Sequence, residues 1–207
     1  LVTASDDQTA RLWEVNLGQE IIQLVHDDEV KTASFNSDNS WIATASYDGT
    51  ARVWDADTGR EIARMIHDGR VYSADFSPDG KWLVTHSDGL KIRIWEIVTG
   101  REVALIHGDW ISEFTLDSRG LITASQDGSV RKWEITGSNE VARMTHDDWV
   151  YSVDFSPDSK YLATASFDST ARIWESTSGK EVARMEQPGN VWKAVFSPNG
   201  KWLATAQ

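Results

Sequence analysis

The chain has 207 residues, a net charge of −12 and no cysteine, and is long enough for one large β domain with a substantial core. The missing cysteines exclude disulfides and thiolate-bound metals and fit a reducing compartment such as the cytoplasm. The acidic balance argues against nucleic acid and anionic lipid as partners, because both contacts rest on Lys and Arg.

No apolar run approaches the roughly 18–20 residues that span a bilayer, so no membrane partner is expected. No basic start with an apolar follow-on marks a signal peptide, and Leu1 in first place leaves room for a lost leader.

The chain opens on Leu1-Val2-Thr3-Ala4, which returns as Leu203-Ala204-Thr205-Ala206. The run Ser5 to Trp13 (S-D-D-Q-T-A-R-L-W) comes next. It recurs as Ser46–Trp54, Ser87–Trp95, Ser125–Trp133 and Ser166–Trp174, at spacings of 41, 41, 38 and 41 residues. A fixed period of about 20–50 residues marks a repeat architecture of stacked supersecondary units. His26, His67, His107 and His146 stand 20, 20, 18 and 20 residues before the Ser of their own copy.

Each unit divides into four short strands. Val30 to Phe35 reads as the first, followed by the turn N-S-D-N (36–39), which later becomes S-P-D-G (77–80), S-P-D-S (156–159) and S-P-N-G (197–200). Pro in second place presets φ, and Gly or Asn late in the turn tolerates φ > 0. The second strand, W-I-A-T-A-S (41–46), carries small residues on both faces, as a strand buried between neighbouring sheets requires. A tight Y-D-G or Q-D-G turn leads to T-A-R-V-W (50–54). A Thr-Gly turn (Thr58-Gly59, Thr99-Gly100, Thr136-Gly137) precedes the fourth strand, E-I-A-R-M (61–65). With no helical period anywhere, this is an antiparallel meander.

His, then S/T-x-D, then Trp followed by an acid, with S-P-D-G turns, resembles the WD-repeat β-propeller family along the whole chain. The Trp-Asp dipeptide occurs once, at Trp54-Asp55; the other four copies read Trp-Glu. The resemblance implies an all-β propeller of four-stranded antiparallel blades, five repeats' worth. Residues 1–207 then form a single propeller region, cut within the second strand of a blade at both ends. An open arc of a larger ring is expected, with a closed five-blade ring as the alternative; an open arc would expose blade faces and self-associate.

The resemblance also gives the recurring polar residues a structural role. Asp accepts from His, His bonds the Ser hydroxyl, and Ser reaches the Trp indole. The sets are His26–Ser46–Asp48–Trp54, His107–Ser125–Asp127–Trp133 and His146–Ser166–Asp168–Trp174. A catalytic triad uses the same residue types, but it occurs once per domain rather than in every repeat. No enzymatic activity is expected, and no two histidines stand at ligand spacing, so no metal is expected either. Gly89 stands where Asp48 would be, so His67 is expected to lose or bend its acid contact. Gln187 replaces the His of the last unit. The Arg two places before each Trp reads as a solvated residue whose stem covers apolar surface.

In propellers of this family the face carrying the tight turn and the start of strand one usually binds peptides or proteins. The matching positions are Tyr47, Arg70, Tyr72, Trp110, Trp149, Tyr151, Phe167 and Trp192. These are the side-chain types that anchor interfaces. Asp6, Asp88 and Glu29 lie among them, so a partner with both apolar and basic residues is expected. The leading function is a non-catalytic protein–protein interaction scaffold. The alternative is a regulatory or sensor propeller of a larger enzyme such as a kinase or nucleotide hydrolase. No cofactor is implied, and no Gly-rich phosphate loop occurs.

Overall fold

Turn chemistry sets the strand lengths. In Ser77-Pro78-Asp79-Gly80, Asp79 Oδ1 accepts from Ser77 Oγ at 2.7 Å and from the Lys81 N–H at 3.1 Å. The fourth turn position needs a left-handed backbone: φ is +70° at Gly80, +62° at Asn39 and +61° at Ser159. Gly adopts that region freely, and Asn or Ser only at some cost. A strand that leaves such a turn has six residues before the next turn reverses it.

A computed structural model describes residues 1–207 apart from Ser138 and the side chains of Asp109, Trp110 and Ile111. The described residues are all-β. They fall into two compact units, Leu1–His107 and Gly108–Gln207. In the first unit, β1 (Val2–Ala4), β2 (Thr9–Glu14) and β3 (Gln19–Val25) make a three-stranded sheet. Strands β4 (Val30–Phe35), β5 (Trp41–Ser46), β6 (Thr50–Asp55) and β7 (Glu61–Ile66) make a four-stranded one. So do β8 (Val71–Phe76), β9 (Trp82–Ser87), β10 (Lys91–Glu96) and β11 (Arg101–His107).

The second unit holds two more four-stranded sheets. One is β12 (Asp109–Phe114), β13 (Gly120–Ser125), β14 (Ser129–Glu134) and β15 (Asn139–Thr145). The other is β16 (Val150–Phe155), β17 (Tyr161–Ser166), β18 (Thr170–Glu175) and β19 (Glu181–Glu186). Strands β20 (Lys193–Phe196) and β21 (Leu203–Ala206) pair by themselves. Every pairing is antiparallel between sequence neighbours, which is the meander that the turn spacing requires.

Two β-bulges recur. The first strand of each complete sheet skips one residue against the second: Lys31 between Val30 and Thr32, Tyr72, Trp110 and Tyr151. The third strand shifts register against the fourth just before its Trp, as between Val53 and Trp54. A bulge leaves one residue outside the ladder and re-aims its neighbour's side chain. The first kind sets one residue outside the ladder at the tight-turn end of the sheet; the second turns the indole toward the second strand.

Packing runs from sheet to sheet within each unit. Val53, Met65, Val71, Ala74, Leu83 and Trp95 form one buried cluster between β4–β7 and β8–β11. Val30, Ile42 and Trp54 with Ala10 and Leu24 form another against β1–β3. In the second unit, Ile122, Val130, Met144, Phe155, Leu162 and Trp174 pack together. The second strands of the four complete sheets are largely buried on both faces, as at Ile42–Ser46, which is why Ala, Thr and Ser fill them. Each fully buried Leu or Ile removes apolar surface worth about 1.5–3 kcal/mol.

Candidate interaction rim and its buried supports

Beneath the tight-turn end of the sheets lies a buried polar relay. In β4–β7, His26 Nδ1 lies 2.8 Å from Asp48 Oδ2 and its Nε2 lies 2.8 Å from Thr44 Oγ1. Trp54 Nε1–H donates to that same Thr44 oxygen at 2.8 Å. The Asp48 carboxylate only accepts, so the neutral ring carries its proton on Nδ1 and Nε2 accepts from the Thr44 hydroxyl. The relay repeats in the second unit as Asp168–His146–Thr164–Trp174, at 2.9, 2.7 and 2.8 Å.

The hydroxyl between His and Trp is therefore Thr44 or Thr164, not Ser46 or Ser166 as the family resemblance implied. Ser46 Oγ instead donates to Asp28 O at 3.0 Å and accepts from the Asp48 N–H at 3.1 Å, closing the tight turn. Ser166 does the same with Asp148 and Asp168. Ser125 accepts from Asp127 N–H and donates to Gly108 O. The physical reason is reach: Ser46 sits at the far end of its strand from Trp54, whereas Thr44 lies on the diagonal from it.

The expected set at His107 is also corrected. His107 is exposed at the end of β11, so it is not a buried relay member. Trp133 Nε1–H donates to Thr123 Oγ1 at 2.8 Å, and Asp127 takes Arg131 at 2.6 Å. In β8–β11, where Gly89 removes the acid, His67 Nδ1 turns to Met65 O at 3.2 Å while Nε2 keeps Thr85 at 2.8 Å.

The repeated Arg is not a solvated strand residue. Arg52 is only 4% exposed. It gives Nη2 to Asp48 at 2.7 Å, Nε to Thr50 Oγ1 at 3.0 Å and Nη1 to Val25 O at 3.2 Å. Arg172 repeats this with Asp168, Thr170 and Thr145. Arg93, with Gly89 at the turn position that Asp48 fills for Arg52, takes Asp68 at 2.9 Å and Glu102 at 3.1 Å.

Electrostatics follow from this burial. Burial pushes the Asp48 carboxyl up, but hydrogen bonds from Thr50, His26 and the Asp27 N–H more than offset it and hold the group well below the usual carboxylate range. Burial lowers His146 to about 4, against the opposing pull of Asp168. Burial and then the Arg93 charge lower His67 to about 4. The imidazoles are neutral at pH 7 and the aspartates charged. Thr44 is wholly buried and bonded on both sides, so the relay has no nucleophile to present. Among the described residues no group of three His, Cys, Asp or Glu side chains could hold a metal ion.

Above the relays stands the rim. In the first unit Tyr47 and Tyr72 meet edge to face at 5.6 Å. Arg70 lies 5.2 Å from the Tyr47 ring centre and Lys31 5.0 Å from it. Asp88 accepts from the Tyr72 hydroxyl and from the Arg70 N–H. Lys31 pairs with Asp6 at 3.1 Å and with Glu29 at 3.3 Å. The three acids expected to face a partner already hold cations of the chain itself.

In the second unit the rings gather into one cluster. Phe167 stacks with Tyr151 at 5.2 Å and with Trp149 at 6.0 Å, and meets Trp192 edge-on at 4.7 Å. Trp149 and Trp192 remain 39% and 44% exposed. Trp110 is the bulged residue of β12; its side chain lies outside the described residues.

Repeated four-stranded meanders, each tied by a His–Thr–Trp relay, invite comparison with known families. The model of the WD domain, G-beta repeat, matches residues 18–55, 60–96, 139–175 and 179–207, together more than half of the chain. The chain belongs to the WD-repeat family. No curated protein matches it in sequence. WD repeats build propeller blades and generally serve as protein-interaction scaffolds, typically without catalysis. Most of the sheet β12–β15 falls in the segment 97–138 that the family model passes over. Among the four complete sheets it is also the one whose His, His107, is exposed rather than buried.

Proposed function

We propose that this WD-repeat chain is a non-catalytic scaffold that binds a protein or peptide segment at the tight-turn end of its sheets. The cluster Trp149–Tyr151–Phe167–Trp192 carries the reading. Four rings packed on one another, with two indoles left substantially open to water, form an anchor site whose side chains are already ordered before a partner arrives. Tyr47, Arg70 and Tyr72 form the corresponding site of the first unit. Trp110 holds the same repeat position as Tyr72 and Tyr151 and is assigned to the rim with them.

The partner segment carries apolar side chains for the rings and Lys or Arg beside them. Asp147, 89% exposed in its side chain, and Asp148 lead into Trp149. In the first unit the Lys31–Asp6 pair is exposed, and such pairs contribute only about 0–1 kcal/mol, so a partner cation can replace Lys31.

Selection of a random peptide library on the purified chain tests this. Wild type should enrich peptides with an aromatic or Leu flanked by Lys or Arg. A Trp149→Ala/Trp192→Ala variant with an unchanged thermal midpoint should lose that enrichment. The same peptides recovered equally well by the variant would refute the assignment.

A further inference from the structure

At the other end of the second unit's sheets, away from the tight turns, the repeat pattern breaks twice in one place. The residue that opens the second strand is Trp41, Trp82 or Tyr161 in three sheets, and each lies opposite the acid that follows the repeat Trp. In β12–β15 that residue is Gly120, in the same register opposite Glu134. The third-strand residue before the Trp is Val53, Ile94 or Ile173 in those sheets. Here it is Lys132, opposite Ile122. One change removes a large ring and the other puts a cation where a branched apolar side chain stands elsewhere.

The two changes open onto one cavity of about 390 Å³, lined by Gly120, Lys132, Trp133, Val141 and Phe155, with Arg119 at its edge. This is the size range of small-molecule sites, about 300–1,000 Å³. Trp133 and Phe155 supply apolar walls. Lys132 Nζ, half-buried, donates to Ser176 O at 2.9 Å and makes no ion pair among the described residues. An ammonium has three donors, so two remain to be used. Arg119 also makes no ion pair among the described residues. Asp117 borders the cavity; its Oδ1 accepts from Thr115 Oγ1 at 2.6 Å and the Arg119 N–H at 3.1 Å, and its charge is felt by Arg119 and Lys132 without an ion pair to either among the described residues, so a bound carboxylate competes with it for Lys132. Glu134 is exposed at the mouth.

We propose that this cavity is a binding site for a small organic acid, with a flat apolar body against Trp133 and Phe155 and a carboxylate on Lys132. A carboxylate completes the donors of Lys132 with charge-assisted hydrogen bonds, which are roughly twice as strong as neutral ones. A neutral amide of the same shape fills the walls but meets Lys132 with a weaker acceptor. The site stands apart from the aromatic rim and does not depend on it.

The probes are 1-naphthylacetate and its neutral isostere 1-naphthylacetamide, titrated into the whole chain and followed at the Trp133 indole N–H by NMR. The acid should bind about tenfold more tightly than the amide, the difference between a charge-assisted and a neutral hydrogen bond. Lys132→Met, close in volume, should erase that preference while the amide still binds. Val141→Trp, placed on the exposed rim of the cavity, should abolish binding of both without lowering the thermal midpoint. Absence of binding by either probe overturns the proposal. So does an acid preference that survives in Lys132→Met, or binding that survives in Val141→Trp.

Discussion

The Arg52 guanidinium and the Asp48 carboxylate lie 2.7 Å apart with only 5% and 4% of their side chains open to water. Arg172 and Asp168 stand in the same relation at 2.6 Å. Breaking such a pair by removing one partner strands the other charge, which costs about 3–5 kcal/mol. Asp48→Asn should therefore lower the stability of the first unit by that order. The same change at Asp127, whose side chain is 54% exposed, should cost about 0–1 kcal/mol. Urea unfolding midpoints of the two variants check the contrast; equal losses would mean that burial does not set the value of the pair.

Thr44 carries two polar groups that nothing else satisfies. Thr44→Val leaves the Trp54 N–H and His26 Nε2 buried without partners, at about 1–3 kcal/mol each. Ser46→Ala removes a turn contact and leaves the relay whole. Hydrogen exchange at the Trp54 indole N–H separates the two: it should accelerate strongly in Thr44→Val and stay slow in Ser46→Ala.

The buried histidines make the fold acid-sensitive well above the carboxylate range. His146 titrates near 4 when folded and near its ordinary 6.5 when unfolded. Between those values the unfolded chain binds a proton that the folded one does not, so stability falls as pH drops from about 6.5 toward 4, by about 1.4 kcal/mol per unit of difference. Asp168, held low, adds its own loss only at still lower pH. The chain already contains the cure: Gln187 Nε2–H donates to Thr205 Oγ1 at 2.7 Å in the place of a relay His. His146→Gln should keep the Thr164 contact and flatten the dependence of the thermal midpoint between pH 7 and 4.5, with His26 and His67 supplying what slope remains.

Two glycines at one turn position should respond differently to the same change. Gly49 and Gly128 have φ of +82° and +81°. A Cβ on Gly49 would meet no atom closer than 3.5 Å, whereas on Gly128 it would lie 2.5 Å from His146 O. Gly49→Ala should cost about 1–2 kcal/mol, the left-handed penalty alone. Ser169 and Gln8 occupy this turn position at +67° and +72°, so a side chain is tolerated. Gly128→Ala must also displace backbone, and its thermal midpoint should fall further.

Period, strand count and turn types were legible because they are local: a Pro, a Gly or an Asp fixes φ within four residues. Register was legible too, though the family resemblance led to the wrong hydroxyl. The tight turn sets Ser46 beside Thr50, which puts Ile42 opposite Trp54 and Thr44 on its diagonal. Ser46 is four residues from Ile42, about 13 Å along a strand, beyond the reach of an indole. The burial of Arg52 follows from period-two alternation, which places it beside Thr44 between two packed sheets. The 18-residue spacing at His107, two short of the others, was the signal that its ring leaves the relay. The gathering of Trp149, Tyr151, Phe167 and Trp192 into one cluster was not legible, because Trp192 comes from the following repeat.

The skipped residue of each first strand has a further consequence. Lys31, Tyr72, Trp110 and Tyr151 are chemically unlike, yet the ladders on either side of them keep the same alignment. Under the proposed function, the side chains offered to a partner are thereby decoupled from those that make the chain fold, so the bulge residue of one sheet can be exchanged while its ladders stay as they are.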